Sequence, residues 1–167
     1  AFVISFLIYK DAEPKAATET AAVENIETAD AVTTDATTAD TTAEIAEATL
    51  TSPVNGTQIP LSEVADEIFA SEMLGTTVAV EPADGKIVAP CDGEVSNIFE
   101  TGHAVCITTE SGGELLIHIG IDTVKMDGKG FTKKVSDGDK VHAGDILVEA
   151  DLEEIKNAGY QTTTMMI

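Results

Sequence analysis

The sequence predicts an all-β fold for residues 51–167, an antiparallel β-sandwich or barrel with one or two short helices, preceded by a disordered linker. Short apolar runs recur there at intervals of about 8 to 12 residues with turn-forming residues between them, a spacing typical of sandwiches and barrels. All 13 glycines lie between Gly56 and Gly159, whereas residues 11–50 contain almost no large apolar side chains. The folded core must therefore come from residues 51–167.

The predicted strands are short runs rich in apolar side chains, bounded by glycine, proline and polar turn residues. They cover Thr77–Val80, Lys86–Ala89, Glu94–Phe99, His103–Thr109, Glu114–Gly120, Phe131–Val135 and Ile146–Glu149. One helix is predicted over Leu152–Ala158, because Asp151 can cap its first amides and Gly159 can end it. A second helical turn is predicted within residues 62–73.

Residues 11–50 repeat alanine, threonine and acidic residues, and they hold 10 of the 30 acidic groups against one lysine. Such a stretch cannot bury enough apolar surface to offset the entropy of ordering it, so it is predicted to be a flexible tether. Residues 1–10 contain an apolar run that stops at Lys10 and is shorter than the roughly 20 residues of a spanning helix. Two interpretations fit this run equally: the end of a transmembrane helix, or an exposed apolar tail.

Residues 51–167 carry 20 acidic groups and seven lysines. An acidic surface repels nucleic-acid phosphates and favours basic protein partners, so nucleic acid is excluded as a ligand class. Cys91 and Cys106 are 15 residues apart and have no Cys-x-x-Cys spacing, so we expect two mostly buried thiols and no metal framework.

Two of the three histidines fall on neighbouring predicted strands. His103 opens one strand and His118 lies near the end of the next. If the intervening turn has an even number of residues, the two side chains are directly opposed, with Cβ atoms about 4.5 to 5.5 Å apart. A turn with an odd number of residues shifts this register. His142 lies in a turn-like stretch and keeps the ordinary interpretation of a hydrogen-bonded core histidine without a functional role.

The strand residues beside His103 and His118 are apolar, which lowers the imidazole pKa and keeps the ring neutral near pH 7. A neutral imidazole can attack phosphorus, and two facing rings could share a phosphoryl group or a metal ion. The alternative is a pair of hydrogen-bonded core histidines. From the residues alone, these interpretations have about even odds.

The sequence around His118 closely resembles the active-site signature of the glucose-family IIA domains of the bacterial sugar phosphotransferase system. The resemblance rests on five segments in order: Pro53–Gly56, Val88–Gly93, Ile98–Ala104, Gly113–Val124 and Val135–Val141. It covers roughly residues 51–167, so chance similarity of one motif is excluded.

The resemblance implies a phosphotransferase component in which His118 accepts a phosphoryl group from the phosphohistidine of the carrier HPr. His118 then passes the group to a cysteine on a IIB domain, which phosphorylates the incoming sugar. His103 is expected to hydrogen-bond the transferred group, and Thr101 to orient His103. Neither a metal nor a cofactor is implied.

In the family that this chain resembles, the histidines lie in a shallow apolar depression with acidic residues at its rim. The expected apolar contributors are Ile68, Phe69, Met73, Leu74 and Phe99, and the expected acidic ones, which would meet arginines of the basic carrier, are Asp66 and Asp122. Ordinary core packing is the alternative for Ile68, Phe69 and Met73.

The order of an apolar helix end, a tether and a IIA domain resembles the C-terminal part of a fused sugar permease. The expected division is residues 1–10 as the end of a transmembrane helix, 11–50 as linker and 51–167 as phosphocarrier domain. The expected location is the cytoplasmic face of the membrane, with the sugar-selective part elsewhere in the permease.

Three other classes remain open from the sequence. A biotinyl or lipoyl carrier is suggested by the Asp-Gly pattern of residues 135–147, with Lys125 as the modified lysine. A zinc peptidase would need a His-x-His pair and a third ligand, and His118-Ile119-Gly120 lacks that pair. A regulatory module that binds partners without transferring phosphate would share the acidic surface.

Overall fold

A computed structural model of the chain describes residues 3–7 and 47–167. The strands in these residues are β1 (Val3–Leu7), β2 (Glu47–Thr51), β3 (Val54–Ile59), β4 (Val78–Val88), β5 (Gly93–Ile98), β6 (Ala104–Thr109), β7 (Glu114–Ile121), β8 (Phe131–Lys133), β9 (Lys140–Val141), β10 (Ile146–Ala150) and β11 (Gln161–Met166). The helices are short: α1 (Glu67–Ala70), α2 (Leu152–Asn157), and two 3₁₀ helices, Leu61–Glu63 and Thr123–Met126.

Nine of these strands form one sheet with the order β8-β10-β4-β11-β7-β6-β5-β9, and β3 pairs with β4 beside this path. Each pairing between the described strands is antiparallel. The prediction of an antiparallel all-β fold with short helices is therefore confirmed. β11 follows the other strands in sequence yet lies inside the sheet between β4 and β7, where Met165 pairs with His118.

The main core lies against one face of the sheet, as alternation along β7 illustrates. Leu115, Ile117 and Ile119 are buried in or beside the core, whereas Leu116 and His118 are half-buried on the other face. Each fully buried aliphatic side chain contributes about 1.5–3 kcal/mol relative to an exposed one. Other members of the main core are Val54, Ile87, Val95, Val105, Ile107, Leu147, Val148 and Ile155. A second cluster joins α1 to the sheet through Val64, Phe69, Ala79, Ile121 and Met165.

The strand boundaries differ from the prediction mainly around β4. The sequence predicts two strands, Thr77–Val80 and Lys86–Ala89, where the structure has one strand of 11 residues. Pro82 and Gly85 indicate a break in sequence, but the long strand changes neighbours along its length, pairing with β11 near Val80 and with β10 near Ile87. β3 and β11 were not predicted, because their threonine, glutamine and glycine residues weaken the apolar pattern.

The helix predicted at Leu152–Ala158 is α2, and the Asp151 carboxylate accepts hydrogen bonds from the amides of Glu153 and Glu154. The turn predicted within residues 62–73 is divided into a 3₁₀ helix and α1. Extended backbone at Val64 ends the first piece, and Asp66 caps the second. The Asp66 carboxylate accepts from the amides of Ile68 and Phe69, so α1 starts at a defined residue beside the histidines.

The N-terminal segment differs from the expected helix end. Val3–Leu7 forms β1, which pairs antiparallel with Glu47–Thr51. Valine, isoleucine and phenylalanine favour strands, and so short an apolar run does not distinguish strand from helix. β2 also includes residues assigned to the linker in the sequence, with Leu50 fully buried. The rest of the predicted linker lies outside the described residues, and none of the helices described here has the length and hydrophobicity for a membrane span.

Candidate functional site

His103 and His118 meet at one end of the β6–β7 hairpin. Their ring centroids are 5.1 Å apart and the ring planes are inclined by 79°. The two residues are not directly paired, because the turn has an odd number of residues and Ala104 is the partner of His118. His103 precedes β6 and follows Gly102 at a φ of +70°, so the alternation of β6 does not extend to its side chain. Its carbonyl accepts a 2.8 Å hydrogen bond from the amide of Ile119, which holds it beside the strand of His118.

The His118 ring is oriented by a backbone carbonyl. Its Nδ1 lies 2.8 Å from the carbonyl oxygen of Gly120. Because a carbonyl oxygen only accepts hydrogen bonds, Nδ1 carries the proton and the neutral ring presents an unprotonated Nε2. Gly120 has a φ of +77°, and an added Cβ would lie 2.7 Å from the carbonyl oxygen of Gln161. This position therefore requires glycine.

The His103 ring is held by Thr101. The Thr101 hydroxyl and His103 Nδ1 are 2.5 Å apart. If the hydroxyl donates this bond, the hydrogen of His103 lies on Nε2, where it can be donated to a bound group. The His103 side chain is 6 % exposed, and its ring packs edge-on against Phe99 at a centroid distance of 5.2 Å.

Both imidazoles are biased toward the neutral form. Burial, together with the neighbouring His118 ring when that ring is charged, lowers the pKa of His103 to about 4. Burial also lowers the pKa of His118, against the opposing effects of the Gly120 carbonyl and the carboxylates of Asp66 and Asp122. At pH 7 both rings are therefore neutral, and His118 Nε2 has an available lone pair.

Four of the apolar residues predicted for the surface beside the pair have exposed side chains. They are Ile68, Met73, Leu74 and Phe99, which are 50 %, 77 %, 58 % and 40 % exposed. Phe69, predicted with them, is instead buried and packs on the His118 ring at a centroid distance of 5.0 Å, because it anchors α1 to the second core cluster. Sequence reasoning did not select Val124, an apolar residue that is 47 % exposed. Its position two residues after Asp122, in the same motif as His118, could have indicated it.

The two predicted acidic residues both act on His118. Asp66 caps α1, and Asp122 follows β7 in a left-handed backbone conformation with a φ of 63°. The carboxylates of both residues raise the pKa of His118. Asp122 is exposed and forms a 2.9 Å ion pair with Lys125. The His118 ring therefore packs on an apolar side chain and experiences the negative charge of two carboxylates.

The donor atoms of the site do not form a metal centre. In residues 3–7 and 47–167, no group of three or more His, Cys, Asp or Glu side chains is arranged to hold a metal ion. Cys91 and Cys106 are free thiols of intermediate burial. Burial raises the pKa of both thiols, and Asp92 and Glu114 respectively raise it further.

An antiparallel β-domain that presents a neutral, oriented histidine on an apolar, acid-flanked surface belongs to the class of group-transfer domains. The family model of the EIIA 1 component of the phosphoenolpyruvate-dependent sugar phosphotransferase system matches residues 48–167. The chain belongs to this family, as the resemblance predicted. It is thus a phosphotransferase-system component, and the biotinyl carrier and zinc peptidase hypotheses are set aside.

Individual relatives agree with this assignment. The chain is 51 % identical over 118 residues to a β-glucoside-specific EIIBCA component of Halalkalibacterium halodurans, covering 71 % of the chain and 19 % of that protein. It is 45 % identical over 124 residues to a glucose-specific EIIA component of Oceanobacillus iheyensis, covering 74 % and 75 %. The solved structure of glucose permease IIA from Mycoplasma capricolum matches with a TM-score of 0.65 and 41 % identity, covering 70 % and 76 %. The matched region spans about a fifth of the fused relatives.

Proposed function

We propose that His118 Nε2 is the atom that carries the phosphoryl group, received from the phosphohistidine of HPr and passed to a IIB-domain cysteine. The observation that supports this role is the hydrogen bond from His118 Nδ1 to the Gly120 carbonyl. This bond leaves the Nε2 lone pair free and directs it away from the backbone. Histidine Nε2 is therefore ready to attack without first losing a proton.

In the proposed reaction, the lone pair of His118 Nε2 attacks phosphorus and the P–N bond to the donor imidazole breaks. The electron pair of the broken bond returns to the donor nitrogen, so no net proton transfer is needed. Positive charge develops on the His118 ring, where the Gly120 carbonyl, Asp66 and Asp122 stabilise it. In the second transfer a IIB thiolate attacks the same phosphorus, and the electron pair of the P–N bond returns to His118.

His103 is proposed to hold the transferred group. With the Thr101 hydroxyl donating to Nδ1, the Nε2–H of His103 can donate to a phosphoryl oxygen. The rings are close enough for one phosphoryl group to contact both, since their centroids are 5.1 Å apart. Positioning and charge stabilisation supply most of the acceleration in such displacements.

The surface around His118 is proposed to dock both partners. Residues 51–167 carry 20 acidic groups against seven lysines, which favours a basic carrier. Ile68, Met73, Leu74 and Phe99 offer the apolar contact area, with Asp66 and Asp122 positioned for arginines of the partner. We further propose that the domain works at the cytoplasmic face of the membrane beside a permease; relatives named as fused EIIBCA and EIICBA components support this location.

Incubation of the chain with phosphoenolpyruvate, the general phosphotransferase and HPr tests the assignment. We expect one acid-labile phosphoryl group, mapped to His118 by mass spectrometry, and none in His118→Gln. His142→Gln is the matched control, because the His142 side chain is 79 % exposed and lies outside the site. Phosphate on another residue, or normal labelling of His118→Gln, would refute the proposal.

A further inference from the structure

We propose that Thr123 is a positioning residue that holds the Gly120 carbonyl in place and so determines which nitrogen of His118 is free. Its effect on phosphoryl transfer rests on the proposed function, whereas its effect on the His118 tautomer does not. Thr123 is fully buried and does not contact the ring of either histidine through a hydrogen bond. Thr123 instead acts on the Ile119–Gly120 backbone, which positions the His118 ring.

Both the hydroxyl and the methyl group of Thr123 contact the Ile119–Gly120 segment. Its hydroxyl donates a 2.5 Å hydrogen bond to the carbonyl oxygen of Ile119. Its methyl group occupies the space beside Gly120 that a Cβ at that position would enter. The Thr123 side chain therefore restrains the Ile119 carbonyl by a hydrogen bond and Gly120 by packing.

This segment needs such a restraint because Gly120 has no side chain of its own. Glycine populates positive and negative φ with similar ease, so packing must select the φ of +77°. The direction of the Gly120 carbonyl follows from that choice, and the carbonyl in turn accepts from His118 Nδ1. A rotated carbonyl would leave the His118 proton free to occupy Nε2, which would block the lone pair.

The same restraint reaches His103. The amide of Ile119 donates a 2.8 Å hydrogen bond to the His103 carbonyl, while the Ile119 carbonyl is held by Thr123. Ile119 thus links the backbones of both histidines, and Thr123 is the side chain that anchors Ile119. We therefore expect Thr123 to affect the relative placement of the two rings as well as the tautomer.

The test compares Thr123→Val, which removes the hydroxyl and keeps the methyl shape, with Thr123→Ser, which keeps the hydroxyl. Nitrogen-15 NMR of the imidazoles in the full 167-residue chain reports the tautomer at a pH above both pKa values. In the wild type and in Thr123→Ser we expect the proton on Nδ1 of His118. In Thr123→Val we expect a shift toward the Nε2–H tautomer and a lower His118 pKa, because the Gly120 carbonyl raises that pKa.

Transfer from phospho-HPr supplies the second measurement. Thr123→Val is expected to lose about 10- to 100-fold in kcat with little change in KM, since the docking surface is untouched. Thr109→Val is the matched control: Thr109 is also buried, but its hydroxyl accepts from Gly113 in the turn at the far end of the hairpin. It should leave the tautomer and kcat unchanged.

If Thr123→Val does not fold, Thr123→Ser and Thr123→Ala give the same comparison, because both lack the methyl and only one retains the hydroxyl. An Nδ1–H tautomer in the folded variant without the hydroxyl, or equal losses in Thr123→Val and Thr109→Val, would overturn the positioning role. Failure to phosphorylate wild-type His118 would instead refute the proposed function, and the tautomer comparison would still decide the role of Thr123.

Discussion

Replacing Gly120 by alanine should both destabilise the fold and impair His118, the proposed nucleophile. The alanine must adopt a φ of +77°, and its methyl group would meet the Thr123 methyl and the Gln161 carbonyl oxygen. The left-handed conformation costs about 1–2 kcal/mol, and overpacking a closed site costs a further ~1–3 kcal/mol. We expect the free energy of unfolding to fall by about 2–5 kcal/mol.

Gly112→Ala separates these two contributions. Gly112 has a φ of +83°, and a Cβ there would have no neighbour within 4 Å. This variant should lose only about 1–2 kcal/mol, from backbone strain alone. Urea unfolding followed by circular dichroism measures both losses, and phosphorylation by phospho-HPr reports the site. Equal destabilisation of the two variants, or unimpaired phosphorylation of Gly120→Ala, would refute the packing argument at Gly120.

Three further perturbations test other parts of the structure. The pKa of His103 is about 4 in the folded chain and 6.5 ordinarily, so the unfolded chain binds more protons between these pH values. The wild type should therefore lose stability as pH falls from 6.5 toward 4. Urea titrations across that range should show a smaller loss of stability for His103→Gln. Asp151→Ala removes the cap of α2 and should cost about 1 kcal/mol by thermal unfolding, whereas Glu153→Ala in the same helix should be nearly neutral. Lys125→Gln removes the ion pair with Asp122 and frees that carboxylate for a basic partner. The KM for phospho-HPr should fall about two- to fivefold with kcat unchanged. A higher KM would contradict the role given to Asp122.

The elements that the sequence predicts well are those in which local pattern and tertiary packing agree. Glu94–Phe99 is predicted and Gly93–Ile98 is observed, because the apolar side chains of Val95 and Ile98 enter the core. α2 is predicted from its Asp151 cap, and that cap is present. Local chemistry is sufficient in these cases, because the residues that start and end each element are adjacent in sequence.

Prediction fails where the sheet supplies what local sequence lacks. β11 is rich in threonine, and its place between β4 and β7 depends on partners distant in sequence. The histidine pair illustrates the same limit. Its two members could be selected from the apolar strands, but the odd turn shifts the register by one residue. The rings meet because His103 lies just outside regular β6 geometry, which a strand pattern does not reveal.

Phe69 and Val124 show a related limit for surfaces. Phe69 lies on α1 and Val124 on the 3₁₀ helix after β7; both are apolar, yet Phe69 is buried and Val124 is exposed. Their exposure depends on how α1 and the 3₁₀ helix after β7 are anchored, not on their own side-chain type. Sequence therefore locates the region of the proposed interaction surface, and the structure divides its apolar residues into buried and exposed ones.

The position of β11 has a consequence for biosynthesis. The strand that lies directly beside β7 is translated after every other described strand, and Met165 pairs with His118 itself. Until that strand emerges, β7, which carries the proposed acceptor His118, lacks one neighbour, and the buried Met165 is missing from the cluster that supports α1. A nascent or prematurely ended chain should therefore be unable to present a finished phosphate acceptor, so competence for transfer arrives together with completion of the sheet.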